Sequence, residues 1–414
     1  MSDMLTHTAG EDSAGPVPDF PMPRAAGCPF DPPPALLNLH AETPLARVRL
    51  WDGSTPWLVT RYEDQKALLS DPRCSVDLAR PGFPYSSPVF REAAKGNSPS
   101  FLNMDDPEHA RIRRMVTAPF AIKRMEAMRP AVQRMTDGLI DGMLAGPKPA
   151  DLVAALALPL PSLVICELLG VPYEDHEFFQ RNSEVGLRRD ATPEQTRESS
   201  GELLKYLMDQ LDRKLADPGD DLLSELATRV ASGDLPRFEA AKLGVLLLGA
   251  GHETTANMIA LGTLALLEHP DQLAVVRDTD DPKVLAGAVE ELLRYLSIIH
   301  VGNRRLALED IEIGGGTIRA GEGVILPGAT ANWDPEYFPE PERLDVRRDA
   351  RRHLTFSFGI HQCLGQPLAR LELQVVYSTL LRRIPTLRLA TEPARIPFKE
   401  DGLVYGTYEL PVTW

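Results

Sequence analysis

Cysteine is scarce in this chain: Cys28, Cys74, Cys166 and Cys363 are the four in 414 residues, and no two lie close together. The start also lacks the charged and then apolar segments of a secretory leader, so no disulfide framework and a reducing, cytoplasmic setting are expected. Positive charge is short as well, with 44 Lys+Arg against 59 Asp+Glu and a net charge of -15. Such a molecule repels phosphate backbones and anionic bilayers, so neither nucleic acid nor a membrane is an expected partner. An unbroken apolar run is missing too. Leu243 to Leu267 comes nearest, with Glu253 as its only formally charged side chain, yet His252, Glu253, Thr254, Thr255 and Asn257 occupy its centre. A bilayer tolerates such groups least at that depth, so the segment reads as a core helix of a soluble protein.

What the chain does have is 43% apolar residues, ample for a large core. Residues 1 to about 15 are small, polar and acidic and are expected to be disordered; Pro16, Pro18, Pro21, Pro23, Pro29 and Pro32 to Pro34 then favour an extended arm. No repeat or linker follows residue 35, so the organisation expected is an arm over 1–35 and one large domain over 36–414. Ala46 to Leu50, the Asp52-Gly53 turn signal and Trp57 to Thr60 predict a β-hairpin, and a second is predicted around Asp401-Gly402 and Leu403 to Trp414. Between them the apolar spacing is helical, as in Leu285, Val289, Leu292, Leu296 and in Leu364, Leu368, Leu371, Val375. The fold class is therefore mainly α with a small β corner. Arg80 to Ser100 is too rich in Pro, Gly and Ser for a helix and reads as a candidate lid.

The chemistry concentrates in Phe356-Ser-Phe-Gly-Ile-His-Gln-Cys-Leu-Gly365, which runs into an amphipathic helix. A cysteine just before a helix start meets free backbone N–H groups and the positive end of the macrodipole, which favour thiolate. Gly359 and Gly365 allow tight turns and close approach to a flat ligand. A thiolate is also the axial ligand that pushes electron density onto heme iron. A cysteine nucleophile paired with His361, and zinc held by His353, His361 and Cys363, are alternatives for the same residues, though a fourth ligand and an orienting acid are not evident.

Three motifs in order resemble those of a soluble bacterial cytochrome P450. Phe356, Gly359, His361, Cys363 and Gly365 fit its cysteine signature, Glu291-Leu-Leu-Arg294 its Glu-x-x-Arg pair, and Ala250-Gly251-His252-Glu253-Thr254-Thr255 its oxygen-activation motif. Ser357 stands where relatives often have Gly. The resemblance implies a single multihelical P450 fold, heme b on Cys363, and proton delivery through Glu253 and Thr254. It places Glu291 and Arg294 in a buried network with Arg343. It implies a propionate clamp of His109, Arg113, Arg305 and His361, with Gly365 also at the cofactor.

The activity implied is hydroxylation or epoxidation, with O2, of a lipophilic small molecule such as a macrolide, polyketide, terpene or steroid-like compound. Electrons would come from a ferredoxin and its reductase, and a monomer is expected. A peroxide-driven hydroxylase and a non-catalytic heme or hydrophobic-ligand binder are the rival functions. The pocket implied is walled by Phe83, Phe90, Arg188 beside Arg189, Val245, Gly249, Ile298, Val301 and Tyr405. Arg343 to Arg352, with five arginines, and Arg111, Arg114, Lys123 and Arg124 are implied to form a basic face for an acidic ferredoxin.

Overall fold

The computed structural model describes residues 17–25, 27–88, 90–91, 100–185, 192–400 and 402–414. Residues 1–16, most of the candidate lid beyond Arg91, Arg188 with Arg189, and Asp401 lie outside the described residues.

Thirteen α-helices among the described residues form the bulk. They are α1 (Pro34–Glu42), α2 (Tyr62–Ser70), α3 (Glu108–Thr117), α4 (Ile122–Ala145), α5 (Pro159–Leu169), α6 (His176–Val185) and α7 (Pro193–Ala216), followed by α8 (Leu222–Ala231), α9 (Arg237–Glu268), α10 (Pro270–Asp278), α11 (Pro282–Leu296), α12 (Gly328–Asn332) and α13 (Gln366–Arg383). Their starts follow capping chemistry. Thr192 and Gln195 close a reciprocal capping box before α7, and the Asp221 carboxylate accepts from Ser224 N–H at 2.8 Å before α8. At the far end of α5, Gly170 takes φ +73° and stops the helix in the left-handed conformation.

The main core surrounds α9, the 32-residue helix that the sequence marks as apolar with a polar centre. Ile259, Leu261, Leu264 and Leu266 are fully buried along it. No described helix is long and apolar enough to cross a membrane. α13 approaches α9 closely because Gly262 has no side chain: a Cβ there would lie 2.0 Å from the Tyr377 hydroxyl, which donates to the Met258 carbonyl. An alanine at Gly262 would overpack this contact at a cost of about 1–3 kcal/mol.

The β corner holds a five-stranded sheet ordered β1-β2-β8-β5-β3, from β1 (Leu45–Arg47), β2 (Trp57–Val59), β3 (Cys74–Ser75), β5 (Asn303–Ala307) and β8 (Gly323–Leu326), and a two-stranded ribbon of β6 (Ile311–Ile313) and β7 (Gly316–Ile318). The expected first hairpin is its β1–β2 edge, paired Leu45 to Val59 and turned at Gly53 with φ +81°. The proline-rich arm lies along that hairpin: Phe20 N–H donates to the Arg49 carbonyl and Arg49 N–H to the Pro18 carbonyl, while Phe20 and Met22 bury against Val48, Leu58 and Ile325. In β5, Asn303 and Arg305 share one face, because side chains alternate across a strand.

The second hairpin differs from the expectation. One bridge, Phe398 to Thr407, closes the turn, and the last strand β10 (Pro411–Thr413) pairs with β4 (Ala150–Asp151) and β9 (Arg388–Leu389). The intervening residues instead reach the centre of the molecule, where Tyr405 N–H donates to the Ile298 carbonyl at 2.8 Å and Val404 bridges Ile299.

Candidate active site

The cysteine loop is shaped by its backbone. Cys363 N–H donates to the Phe356 carbonyl at 2.8 Å, folding the loop on itself. Gly359 sits at φ +73°, and a Cβ there would come within 2.6 Å of the Leu69 carbonyl oxygen, so both conformation and space require glycine. Ser357 takes φ +62°. That left-handed conformation favours glycine and costs a side chain about 1 kcal/mol or more, which explains why the motif often has glycine where this chain has serine.

Cys363 is exposed and lines a cavity. Burial pushes its thiol up, and the N–H groups of Gly365 and Gln366 together with the Arg113 guanidinium pull the other way. Those are the donors that a helix start provides to a sulfur carrying negative charge.

Two buried ionic networks hold this loop. Glu290 receives His353 at 3.1 Å and Arg370 at 2.6 and 2.9 Å, and Arg370 also lies over the Phe356 ring at 4.6 Å. Burial opposes the Glu290 charge, but these donors outweigh it and hold its carboxyl down to about 2. His353 is thereby engaged away from Cys363, and no group of three or more His, Cys, Asp or Glu that could hold a metal occurs among the described residues. In the second network Arg294 grips Glu291 at 2.7 and 2.8 Å, both fully buried. The third member is Arg348, 3.1 Å from Glu291, and not Arg343 as the resemblance implied. Arg343 contributes its backbone carbonyl, while its exposed side chain lies 3.9 Å from Glu340.

The cavity has a volume of about 410 Å³ and is bounded by α9, α13, α3, the cysteine loop and residues 297–303. Its lining is mostly apolar. Thr254 and Cys363 both open onto it. Thr254 Oγ1 donates to the Ala250 carbonyl at 2.8 Å, the local bond common for a helical threonine, and this bond leaves its oxygen on the cavity surface. Glu253 is not part of the lining; its Oε1 lies 3.8 Å from the Lys399 ammonium.

The structure brings the four implied clamp residues together at one edge. His109 and His361 lie ring to ring with centroids 4.1 Å apart, and both line the cavity with Arg113. Arg113 donates to the Gln362 carbonyl at 2.7 Å. Arg305 is buried beside them; burial chiefly, then the neighbouring His109 and Arg305 charges, bring His361 down to about 3. The donors are under-used: both ring nitrogens of His109 and Nη2 of Arg305 are buried without a hydrogen bond. Buried donors rarely stay unpaired, so this edge fits an anionic group such as a pair of carboxylates. An accessible cysteine, orphaned buried donors with the Arg113 and Arg305 charges, and a mostly apolar lining together match a heme with two propionates. Gly365 lines the cavity at the helix start.

Of the implied substrate residues, Ile298 lines the cavity. Val245 and Gly249 do not; α9 presents Leu246, Leu247 and Ala250 there, one helical position away from the expected residues. Tyr405 and Val301 are buried outside the lining, Tyr405 beneath the Arg24 guanidinium at 4.0 Å. Phe83 is buried against Tyr85 and Phe90 is exposed, both away from this cavity.

Sequence reasoning missed three features. Phe101 and Leu102 form part of the wall. Asn332 ties Ser297 and Thr355 together at 2.8 and 2.9 Å on the cavity surface. Glu372 lines the cavity fully buried, and burial pushes its carboxyl up to about 8. No local pattern announces these, although Glu372 falls on the inward stripe with Leu368, Leu371 and Val375 and a carboxylate there was a visible anomaly.

Comparison with known proteins gives the same answer. The cytochrome P450 family model matches residues 202–408. The cytochrome P450 GfsF of Streptomyces halstedii is 60% identical over the full length of both chains, and its crystal structure superposes with a TM-score of 0.93 over 96% of this chain and 100% of that one. The 20-oxo-5-O-mycaminosyltylactone 23-monooxygenase of Streptomyces fradiae is 44% identical, covering 95% of this chain and 92% of that relative. The mycinamicin VIII C21 methyl hydroxylase MycCI of Micromonospora griseorubida, solved with mycinamicin VIII bound, is 42% identical with a TM-score of 0.87 over 96% and 100%. On its motifs, its fold and these matches, the chain belongs to the cytochrome P450 family of heme-thiolate monooxygenases.

Proposed function

We propose that this P450 hydroxylates or epoxidises a lipophilic small molecule of macrolide, polyketide, terpene or steroid-like type, with Cys363 as the iron ligand and a ferredoxin with its reductase as electron source. The observation that carries the residue assignment is the shared cavity: Cys363, Thr254 and the His109, Arg113 and His361 edge all open onto it. His109, Arg113, Arg305 and His361 would hold the heme propionates. When bound, the heme supplies the oxygen chemistry, with the thiolate pushing electron density toward O–O cleavage.

The chain's own part is orientation and proton supply. Thr254 presents a hydroxyl to the cavity from a carbonyl-anchored position, and Glu253, the neighbouring acid, can recharge it. The apolar walls from Leu246, Leu247, Ile298 and Ile299 exclude water and hold an apolar substrate by burial. The two relatives above, a mycaminosyltylactone monooxygenase and a mycinamicin hydroxylase, support a bulky lipophilic substrate.

The test has two stages. Lipophilic compounds are screened for a low-spin to high-spin shift of the Soret band, and hits are incubated with NADPH, ferredoxin and reductase. An oxygenated product formed with NADPH consumption is expected. Product with peroxide alone would make the enzyme peroxide-driven, and binding without product would make it a carrier. The cysteine assignment is read separately: Cys363→Ser should lose the long-wavelength Soret band that the reduced carbon monoxide complex shows with thiolate opposite.

A further inference from the structure

Glu253 stands beside the relay threonine in sequence, yet it faces the C-terminal loop and not the cavity. Its partner there is Lys399, whose residue is only 6% exposed. A buried ammonium is costly unless a carboxylate balances it, so the pair is set by the fold and not by solvent. The loop fixes the Lys399 backbone. Lys399 N–H donates to the Gly406 carbonyl at 2.8 Å, and Gly406 packs so tightly on α9 that a Cβ would fall 1.8 Å from the Asn257 side-chain oxygen. Asn257 in turn donates to the Glu253 carbonyl at 2.9 Å, and the Tyr408 ring lies 5.4 Å from the ammonium.

We propose that Lys399 is a positioning residue for proton delivery: its ammonium favours the ionised Glu253 carboxylate and holds it off the cavity, and Glu253 takes up a proton from solvent as it leaves the pair and passes that proton to Thr254. This deepens the relay reading above and rests on it.

The electrostatics follow from the geometry. Burial raises the proton affinity of Glu253 and outweighs the Lys399 charge, which lowers it; Lys399 is the charged side chain that acts on this acid among the described residues. His252, the neighbouring titratable group, is bonded to the Leu158 carbonyl on the far side and is held neutral, burial bringing it down to about 4. Removing the ammonium therefore raises the pH at which Glu253 loses its proton.

The experiment compares wild-type holoenzyme with Lys399→Met and Lys399→Arg. The first readout is the infrared band of the protonated Glu253 carboxyl, identified by its loss in Glu253→Gln and followed against pH. Its midpoint should rise by about one pH unit or more in Lys399→Met and return toward wild type in Lys399→Arg. The second readout is the alkaline limb of the pH profile for product formed per NADPH, which should move upward by the same amount. Lys399→Gln replaces the methionine variant if that one fails to fold. A midpoint within about 0.2 units of wild type in the neutral variant overturns the proposal. Unchanged coupling in Thr254→Ala and Glu253→Gln would instead overturn the relay reading itself.

Discussion

His109 of α3 and His361 of the cysteine loop face each other with ring centroids 4.1 Å apart and planes at 41°, and Phe101 stacks on His109 at 5.0 Å. The stack positions His109 without using either of its nitrogens; Asp106 lies 3.4 Å from Nδ1 without forming a hydrogen bond. A side chain held by its ring with both nitrogens unpaired is prepared for a partner that arrives later. His109→Phe keeps the stack and removes the donors, and Arg113→Gln removes the charge. A charge-assisted hydrogen bond lost from a buried propionate costs roughly 1.5–3 kcal/mol, so heme dissociation should accelerate about tenfold or more in each variant. Transfer of heme to an excess of apomyoglobin measures that rate. A rate equal to wild type in both variants would remove these residues from the clamp.

A second expectation concerns acid stability. Glu290 is held down to about 2 in the folded chain, against an ordinary glutamate value near 4.5. Because the folded value is depressed, the stabilisation is fully present above about pH 4.5 and is lost as pH falls from there toward 2. The difference corresponds to about 3 kcal/mol, an order-of-magnitude figure for this buried group. Glu290→Gln should therefore lower unfolding stability by about that amount at pH 7, with the gap to wild type narrowing steadily below pH 4.5. Denaturant titrations at several pH values measure it, and a gap that stays constant with pH would show that the pair with His353 and Arg370 does not stabilise the loop.

The residues proposed to carry the chemistry stood out in the sequence, and their surroundings much less so. Cys363, His361 and Gly359 sit in one short loop whose turns demand particular residue types, so a local reading finds them. The helical stripes of α11 and α13 were likewise visible as periodicity. The cavity wall was not. A shift of one position along α9 rotates a side chain by about 100°, and that separates the expected Val245 and Gly249 from the observed Leu246 and Ala250. Arg343 and Arg348 are both arginines in one meander, and only the folded chain decides which guanidinium reaches Glu291. Lys399 meets Glu253 across a long stretch of chain, with no pattern in either segment to announce it.

Proton supply makes a separate prediction. Thr254 donates its hydroxyl hydrogen to the Ala250 carbonyl in this structure, so its oxygen is free to accept a hydrogen bond from the cavity side. Thr254→Ala removes the hydroxyl from the cavity face without touching the clamp or the sulfur. Heme content and the substrate-induced spin shift should stay within about twofold of wild type, while the share of NADPH ending as hydrogen peroxide rises severalfold. Peroxide and product are measured against NADPH consumed. Equal partition in the two enzymes would rule out the hydroxyl as the proton donor.

The face expected to meet a ferredoxin is smaller than the run of arginines suggested, because the structure neutralises most of them. Arg351 pairs with Asp349 at 2.7 Å, Arg111 with Glu108 at 2.9 Å, and Arg348 is turned inward onto Glu291. Arg124 is tied to Asp220 and Glu225. Arg114, Lys123, Arg347 and Arg352 remain exposed without an ion pair among the described residues, and Ile360 of the cysteine loop is 48% exposed. Unpaired charges steer an acidic partner, whereas paired ones present little net field, so steering should depend on this smaller set. Arg114→Glu with Arg352→Glu should slow ferredoxin-dependent reduction about tenfold at low ionic strength and much less at about 0.5 M salt, where screening acts within a few ångströms. The paired control, Arg351→Glu with Arg111→Glu, should change the rate less. Stopped-flow reduction under carbon monoxide reads the association rate directly, and the spin shift on substrate binding should be the same in all forms. A salt-independent rate, or an equal loss in both double variants, would remove the unpaired cations from the docking face.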